Sequence, residues 1–127
     1  MLSEAELVKF RDSLKFFFDG ACDIFDEITV RKNSADTIER IITARDVPCH
    51  LSFKNNYFKR KNDFIANRQS GTLFLPWNTN INSNSFFTVR QNNQLYSLFI
   101  RGGIRHYISH IEADFVLENP SFNREVI

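Results

Sequence analysis

Hydrophobic and polar residues alternate along most of the chain after residue 20, a pattern typical of strands with one buried face. The predicted strands lie around residues 27–31, 38–44, 47–53, 72–77, 86–91, 94–102 and 111–117. Strands that follow one another without helices between them favour an antiparallel sheet closed into a small barrel or sandwich. The pattern therefore predicts a mainly β fold of about six to seven strands.

The first twenty residues follow a different period. Ser3 and Glu6 have the spacing of a capping box, in which each side chain binds the other's free backbone N–H group. Apolar residues then recur at helical spacing, at Leu7, Phe10, Leu14, Phe17 and Phe18. We predict an amphipathic helix over 4–19 that stops at Gly20. Its last turn is more apolar than one buried stripe requires, so we expect Phe16 to face a neighbouring molecule.

Turn signals divide the rest of the chain. The stretch "RDVP" (45–48) is predicted to separate two strands, and Asn92-Asn93 is predicted to form a hairpin turn because Asn tolerates positive φ. The segment "GGIRHYISH" (102–110) is interpreted as a connection, with a bend or bulge at its two glycines. Residues 54–71 lose the strand pattern and are predicted to form one long inter-strand loop.

Length limits the number of domains. The chain has 127 residues, enough for one domain with its own core. We predict a single domain over 1–127, with the strands within 22–117 and a tail over 118–127. Fourteen residues are Phe, a heavy load that implies either a core filled by rings or apolar surface reserved for neighbours.

Charge and targeting signals are weak. The formal net charge is +1, which gives no general support to nucleic-acid binding. No apolar run approaches the roughly 18 residues that span a bilayer, and the first ten residues do not resemble a signal peptide. We expect a protein made in a reducing cytoplasm, with Cys22 and Cys49 as buried apolar residues rather than a disulfide.

The adjacent Cys49 and His50 could form a reactive pair, a metal site or only a packed strand. Adjacent residues of a strand point to opposite faces, so a thiolate–imidazolium pair is not expected. Cys49 shares its face with Val47, Leu51 and Phe53, which favours packing. A zinc site needs about four ligands, usually with a close pair, and the cysteines and histidines here are scattered. We therefore expect no catalytic residue, no metal and no cofactor.

The basic stretch "FKRKNDF" (58–64) supports a separate hypothesis. Lys59, Arg60 and Lys61 could neutralise phosphates, and neighbouring aromatic rings could stack on bases. A solvated loop is the alternative interpretation.

The order of these signals resembles the head–tail connector "stopper" (head completion) proteins of long-tailed bacteriophages. The resemblance covers about residues 22–117 and includes "DVPCHLSF", "TLFLPWNTNI", "SFFTVRQNNQLYSL" and "HYISHIEADFVLE". It implies a non-enzymatic β-barrel that forms a ring, closes the portal channel after DNA packaging and provides a platform for the tail. The N-terminal helix is a departure, because the smallest members of the family lack it.

The resemblance also implies partners and a gate. The loop 54–71 matches the family's channel-gating loop, whose residues here would be Tyr57, Phe58, Lys59, Arg60, Lys61, Asp63, Phe64 and Arg68. The partners would be further copies of the chain in a hexamer or dodecamer, portal and adaptor proteins, tail terminator or tail proteins, and packaged double-stranded DNA, with no membrane. The protein would lie in the neck of the virion, after assembly in the cytoplasm of the bacterial host.

Ring assembly requires two different surface patches on each subunit. Phe16, Trp77, His110 and Glu112 are the candidate interface residues, although Trp77 could instead cap the barrel. Two alternative functions remain open at this point. One is another virion component, such as an adaptor, tail-completion or minor capsid protein. The other is a small barrel that binds single-stranded nucleic acid.

Overall fold

A computed structural model describes residues 3–54 and 70–118 of the chain. It contains one α-helix followed by six strands. In chain order these are α1 (Glu4–Ser13), β1 (Gly20–Lys32), β2 (Ala35–Phe53), β3 (Ser70–Pro76), β4 (Ser85–Gln91), β5 (Gln94–His106) and β6 (His110–Leu117).

The six strands form a closed barrel in the order β1-β2-β3-β6-β5-β4, and every neighbouring pair is antiparallel. The predicted mainly β fold with an N-terminal helix is confirmed. Side chains of alternating residues fill the interior, as expected for a small barrel. The core consists of Cys22, Ile24, Cys49, Leu51, Leu73, Leu75, Phe87, Val89, Leu98, Ile100, Ile111, Ala113 and Phe115.

The phenylalanines of the described strands lie mostly outside this core, which holds only Phe87 and Phe115. A stripe of apolar side chains crosses the outer surface in register: Ile42, Phe25, Phe86, Phe99 and Val116. Phe86 is nevertheless only 4% exposed. The Arg40 guanidinium covers it at 3.6 Å from the ring centroid and is bound by the Glu27 carboxylate at 2.7 Å. Phe86, at the centre of the stripe, is thus covered by a side chain of the same molecule.

The predicted break at "RDVP" is wrong, because β2 runs through it without interruption. The register between β1 and β2 shifts near Ile24, so extra residues of β2 form bulges. Asp46 has a φ of 50°, and its N–H donates to the Asp23 carboxylate at 2.9 Å. A bulge uses the same residue types as a turn, and this similarity explains the error.

The predicted connection 102–110 is also shorter than expected, since β5 continues to His106. Gly102 has a φ of 114°, which few other residues adopt, and the register with β6 shifts between Ile100 and Ile104. The predicted bulge is confirmed there. The Asn92-Asn93 hairpin is also confirmed, with φ values of 55° and 65°.

The helix is shorter than the predicted 4–19. The capping box of Ser3 and Glu6 is present, but α1 ends at Ser13, whose hydroxyl donates to the Phe10 carbonyl at 2.7 Å. A 3₁₀ turn follows over Leu14–Phe16. Gly20 belongs to β1, where a Cβ atom would lie 2.9 Å from the Arg90 carbonyl oxygen. The predicted helix stop at Gly20 is therefore wrong, and close packing between strands explains this glycine instead.

Part of the β1–β2 hairpin extends beyond the barrel. Strand β1 pairs with β4 only as far as Asp26, and β2 pairs with β3 only from His50 onward. Residues 27–41, called the ribbon below, therefore form a two-stranded extension with pairing only between its own strands.

Candidate interaction surface

One arginine anchors the N-terminal helix to the outside of the barrel. The Arg11 Nε and Nη2 atoms donate to the Ile108 carbonyl oxygen at 3.1 and 2.8 Å. The same guanidinium lies 3.8 Å from the centroid of the Trp77 ring, within the range of a cation–π contact. No residue of α1 is buried. The helix is thus held mainly by polar contacts and leaves apolar side chains open to solvent.

An aromatic row continues from the end of the helix across the barrel surface. The Phe17 ring lies 4.4 Å from the His50 ring and meets the Phe74 ring edge-on at 5.1 Å. His110 stacks on Phe74 at 5.8 Å and on Tyr107 at 5.0 Å. Ring pairs in such geometry add stability beyond the area that they bury. The row therefore orders the segment between the helix and β1.

Both histidines of the row are oriented by polar neighbours. His50 Nδ1 lies 2.8 Å from the Asp19 carboxylate. His110 Nδ1 lies 2.7 Å from the Ser109 hydroxyl, and its Nε2 lies 2.9 Å from the Glu112 carboxylate. With both nitrogens of His110 occupied, its ring plane is fixed against Phe74.

Hydrogen bonds link the side chains of Ser109, His110 and Glu112 in series, as in the serine–histidine–carboxylate sites of acyl-transfer enzymes. In such a site the hydroxyl must be free to attack a bound substrate, and donors must surround the developing oxyanion. Here serine and histidine are adjacent in sequence, and the imidazole stacks on two aromatic rings. The arrangement is suited to fixing the turn between β5 and β6.

An ion-pair cluster lies next to His110. Arg105 donates to Asp114 at 3.2 and 3.0 Å, and it lies 3.5 Å from the Glu112 carboxylate. The hydrogen bonds from Arg105 lower the pKa of Asp114, and those same bonds raise the pKa of Arg105. The cluster bridges β5 and β6 beside the bulge at Gly102.

The four predicted interface residues lie on or beside this surface. Phe16 is 92% exposed and precedes Phe17 of the aromatic row, while Trp77 is 46% exposed under Arg11. His110 and Glu112 lie within the row and the ion-pair cluster. The helix, the 3₁₀ turn and the chain segments that Arg11 contacts carry exposed apolar side chains, called the helix-side patch: Val8, Phe10, Phe16, Phe17, Trp77, Tyr107 and Ile108.

The predicted gating residues lie outside the described part of the chain. They are Tyr57, Phe58, Lys59, Arg60, Lys61, Asp63, Phe64 and Arg68. The two ends of their segment are described, and the Lys54 N–H donates to the Ser70 carbonyl at 2.8 Å. Next to this bond, a Cβ on Gly71 would overlap the Ser52 carbonyl. Residues 55–69 are thus inserted between two strand ends that are held side by side.

Cys49 and His50 point to opposite faces of β2, as predicted. The Cys49 side chain is fully buried in the core, whereas the His50 ring lies outside beneath Phe17. Cys22 is also fully buried, and a hydrogen bond with Cys49 together with burial raises the pKa of the Cys22 thiol. The packing interpretation of this stretch is confirmed.

Sequence reasoning did not identify Asp19, Phe74 and Arg105 as parts of this surface. Alternation places Phe74 outside the barrel between Leu73 and Leu75, and that signal was available in the sequence. Its pairing with His50 and Glu112 depends on strand order and register, which the sequence does not reveal.

The described residues provide neither a metal-binding cluster nor a membrane-spanning helix. Within residues 3–54 and 70–118, no group of three or more His, Cys, Asp or Glu side chains is placed to hold a metal ion. The helices of that part of the chain are too short and too polar to cross a membrane.

Comparisons with known proteins give one structural likeness. No family model matches the chain, and no curated protein matches it. The solved structure of the phage-like element PBSX protein xkdH from Bacillus subtilis aligns with 80% of this chain and 94% of its own, at 16% sequence identity and a TM-score of 0.49.

Proposed function

We propose that the protein is a ring-forming neck component of a tailed phage, a stopper that closes the portal channel after DNA packaging and provides a platform for the tail. The observation that carries this proposal is a rigid closed barrel that holds residues 55–69 between two hydrogen-bonded strand ends. Such an insertion can change conformation or contact a ligand without disturbing the barrel that supports it.

The placement of the family-like motifs supports the same proposal. The segment "PCHLS" lies in β2, and "YISHIE" spans the turn into β6. Although they are far apart in sequence, they meet through β3, because His50 and Glu112 both pair with Phe74. His50 of the first motif and His110 of the second lie on either side of Phe74 in the aromatic row.

The proposed mechanism is mechanical and involves no catalysis. Copies of the barrel would form a ring, and each would direct its 55–69 segment toward the central channel. The basic residues Lys59, Arg60 and Lys61 would then face packaged DNA or acidic groups of a neighbouring subunit. Portal and adaptor proteins would bind on one side of the ring, and tail proteins on the other.

Deletion of residues 56–69 tests the gate. A short Gly-Ser linker would join the strand ends at Lys54 and Ser70, which are already hydrogen-bonded, so we expect the barrel to fold. Virions assembled with this variant should lose packaged DNA, measured as nuclease-sensitive DNA released from filled heads. Heads that stay full and sealed with the deletion variant present in the neck would rule out the gate.

A charge variant separates the gate from nucleic-acid binding. Replacing Lys59, Arg60 and Lys61 by Gln keeps the length of the segment and removes its charge. A steric gate predicts sealed heads with this variant. A salt-sensitive DNA affinity of the isolated protein that disappears in the variant would instead favour the nucleic-acid-binding alternative.

A further inference from the structure

The ribbon exposes large apolar side chains on both of its faces. Ile28 and Ile41 are 40% and 47% exposed, and Ile38 is 68% exposed. Register places Ile38 opposite Thr29, whereas Ile28 lies opposite Glu39 on the other face. A two-stranded hairpin alone is marginally stable in water, and unpaired strand edges invite association.

The charges of the ribbon are neutralised within the ribbon. Glu27 pairs with Arg40 at 2.7 Å, Lys32 with Glu39 at 3.2 Å and Arg31 with Asp36 at 3.4 Å. These three cross-strand pairs include every charged residue between 27 and 41. The ribbon therefore offers apolar surface without net charge, which suits an apolar partner surface rather than a charged polymer.

We propose that the ribbon of one copy docks on the helix-side patch of the next copy. This inference rests on the proposed ring, and it assigns the two surfaces that the ring needs. A ring requires contact between two unlike patches, and this chain has a mainly aliphatic ribbon and a mainly aromatic helix-side patch. Ribbon-to-ribbon contact would produce a closed dimer and leave the helix-side patch exposed.

Substitution of the most exposed ribbon residue tests the contact. Ile38→Lys places a charge on a solvent-exposed side chain, so the barrel should remain folded. We expect self-association measured by sedimentation velocity to weaken about tenfold or more. Leu95→Lys is the matched control, because Leu95 is 67% exposed in the β4–β5 hairpin, outside both surfaces, and this variant should associate like the wild type.

Cross-linking identifies the partner surface. Cys22 and Cys49 are fully buried, so a short bismaleimide should react only with introduced cysteines. Mixing Ile38→Cys with Phe16→Cys should produce mixed cross-linked dimers, whereas each variant alone, or Leu95→Cys mixed with Phe16→Cys, should not.

The outcomes separate the contact from the proposed function. Rings that persist in the Ile38→Lys variant, or cross-links formed by Ile38→Cys alone, would overturn the ribbon contact and leave the ring intact. A wild-type protein that stays monomeric at high concentration, together with cysteine variants that form no mixed cross-link, would contradict both.

Discussion

At the scale of single residues, the Gln91 side chain binds the backbone groups of Leu51 that a neighbouring strand would otherwise bind. Gly20, the first residue of β1, pairs with Cys49, so Leu51 has no partner from β1. The Gln91 amide lies at this gap, 6% exposed, where it accepts from the Leu51 N–H at 2.8 Å and donates to the Leu51 carbonyl at 3.1 Å. A side chain thereby satisfies two buried backbone groups near the base of the 55–69 segment.

Gln91→Leu should therefore destabilise the barrel strongly. The substitution leaves both backbone groups of Leu51 buried without a partner, so we expect a loss of about 2–4 kcal/mol in the free energy of unfolding. Urea denaturation measures this loss. Gln94→Leu, on the exposed residue opposite Gln91 in the hairpin, is the control. Equal midpoints for the two variants would contradict the role of Gln91.

The Arg105–Asp114 pair should make stability depend on pH in the acidic range. Because the folded pKa of Asp114 lies below its ordinary value of 3.8, the pair stabilises the fold above that value. The contribution is lost as the pH falls through the folded pKa. Asp114→Asn removes this titration, so its stability deficit against wild type should be larger at pH 7 than at pH 2.

Asp12→Asn controls for the general loss of a surface carboxylate, since Asp12 only bridges to Lys15 on the exposed helix. A deficit of Asp114→Asn that does not change between the two pH values would contradict the linkage.

Side-chain direction could be predicted at this scale, but side-chain partners could not. Alternation correctly placed Cys49 inward and His50 outward. The contact of His50 with Asp19 and Phe17 depends on where the helix ends and how the chain returns to β1, and no local pattern encodes that path.

At the scale of elements, the helix lies on the outside of the barrel and is attached to it at a few contacts only. It has no buried residue, and its link to the barrel depends on Arg11 and on Phe17 just after the 3₁₀ turn. Its apolar spacing predicted a buried face, yet Phe10 is 45% exposed. Spacing shows that side chains share a face, but whether the barrel covers that face is decided by the connection to Gly20.

Arg11→Ala should release the helix without unfolding the barrel. Hydrogen exchange of the amides of α1 should become faster, because the two bonds to the Ile108 carbonyl and the contact with Trp77 are lost. Amides of β3 and β6 should keep their protection. Lys15→Ala, which removes only an exposed ion pair with Asp12, is the control and should leave α1 unchanged. Unchanged exchange in both variants would show that Arg11 does not anchor the helix.

Strand existence was predictable at this scale, whereas strand length was not. Strands β2 and β5 each continue through residues that predict a turn, at Asp46 and Gly102. Both residues adopt positive φ inside a bulge, and in β2 the unpaired N–H of Asp46 finds a partner in Asp23. Local sequence cannot distinguish a bulge from a turn, because only pairing with the next strand decides between them.

At the scale of the whole molecule, the barrel leaves two apolar surfaces uncovered, and they are unlike. Arg40 covers Phe86 in the outer stripe, and Arg11 lies over Trp77 in the helix-side patch. Ile38 of the ribbon and Phe16 of the helix-side patch are nevertheless 68% and 92% exposed. The barrel could be predicted from its run of strands. The ribbon could not, because it depends on where β1 and β2 part from β4 and β3.

Electron cryo-microscopy of virions, with mass spectrometry of their purified necks, tests the central claim most directly. The account predicts this chain in many identical copies, arranged as a closed ring between the head and the tail, with residues 55–69 of each copy directed into the channel. Absence of the chain from the particles, or its presence there as a single copy, would contradict the account.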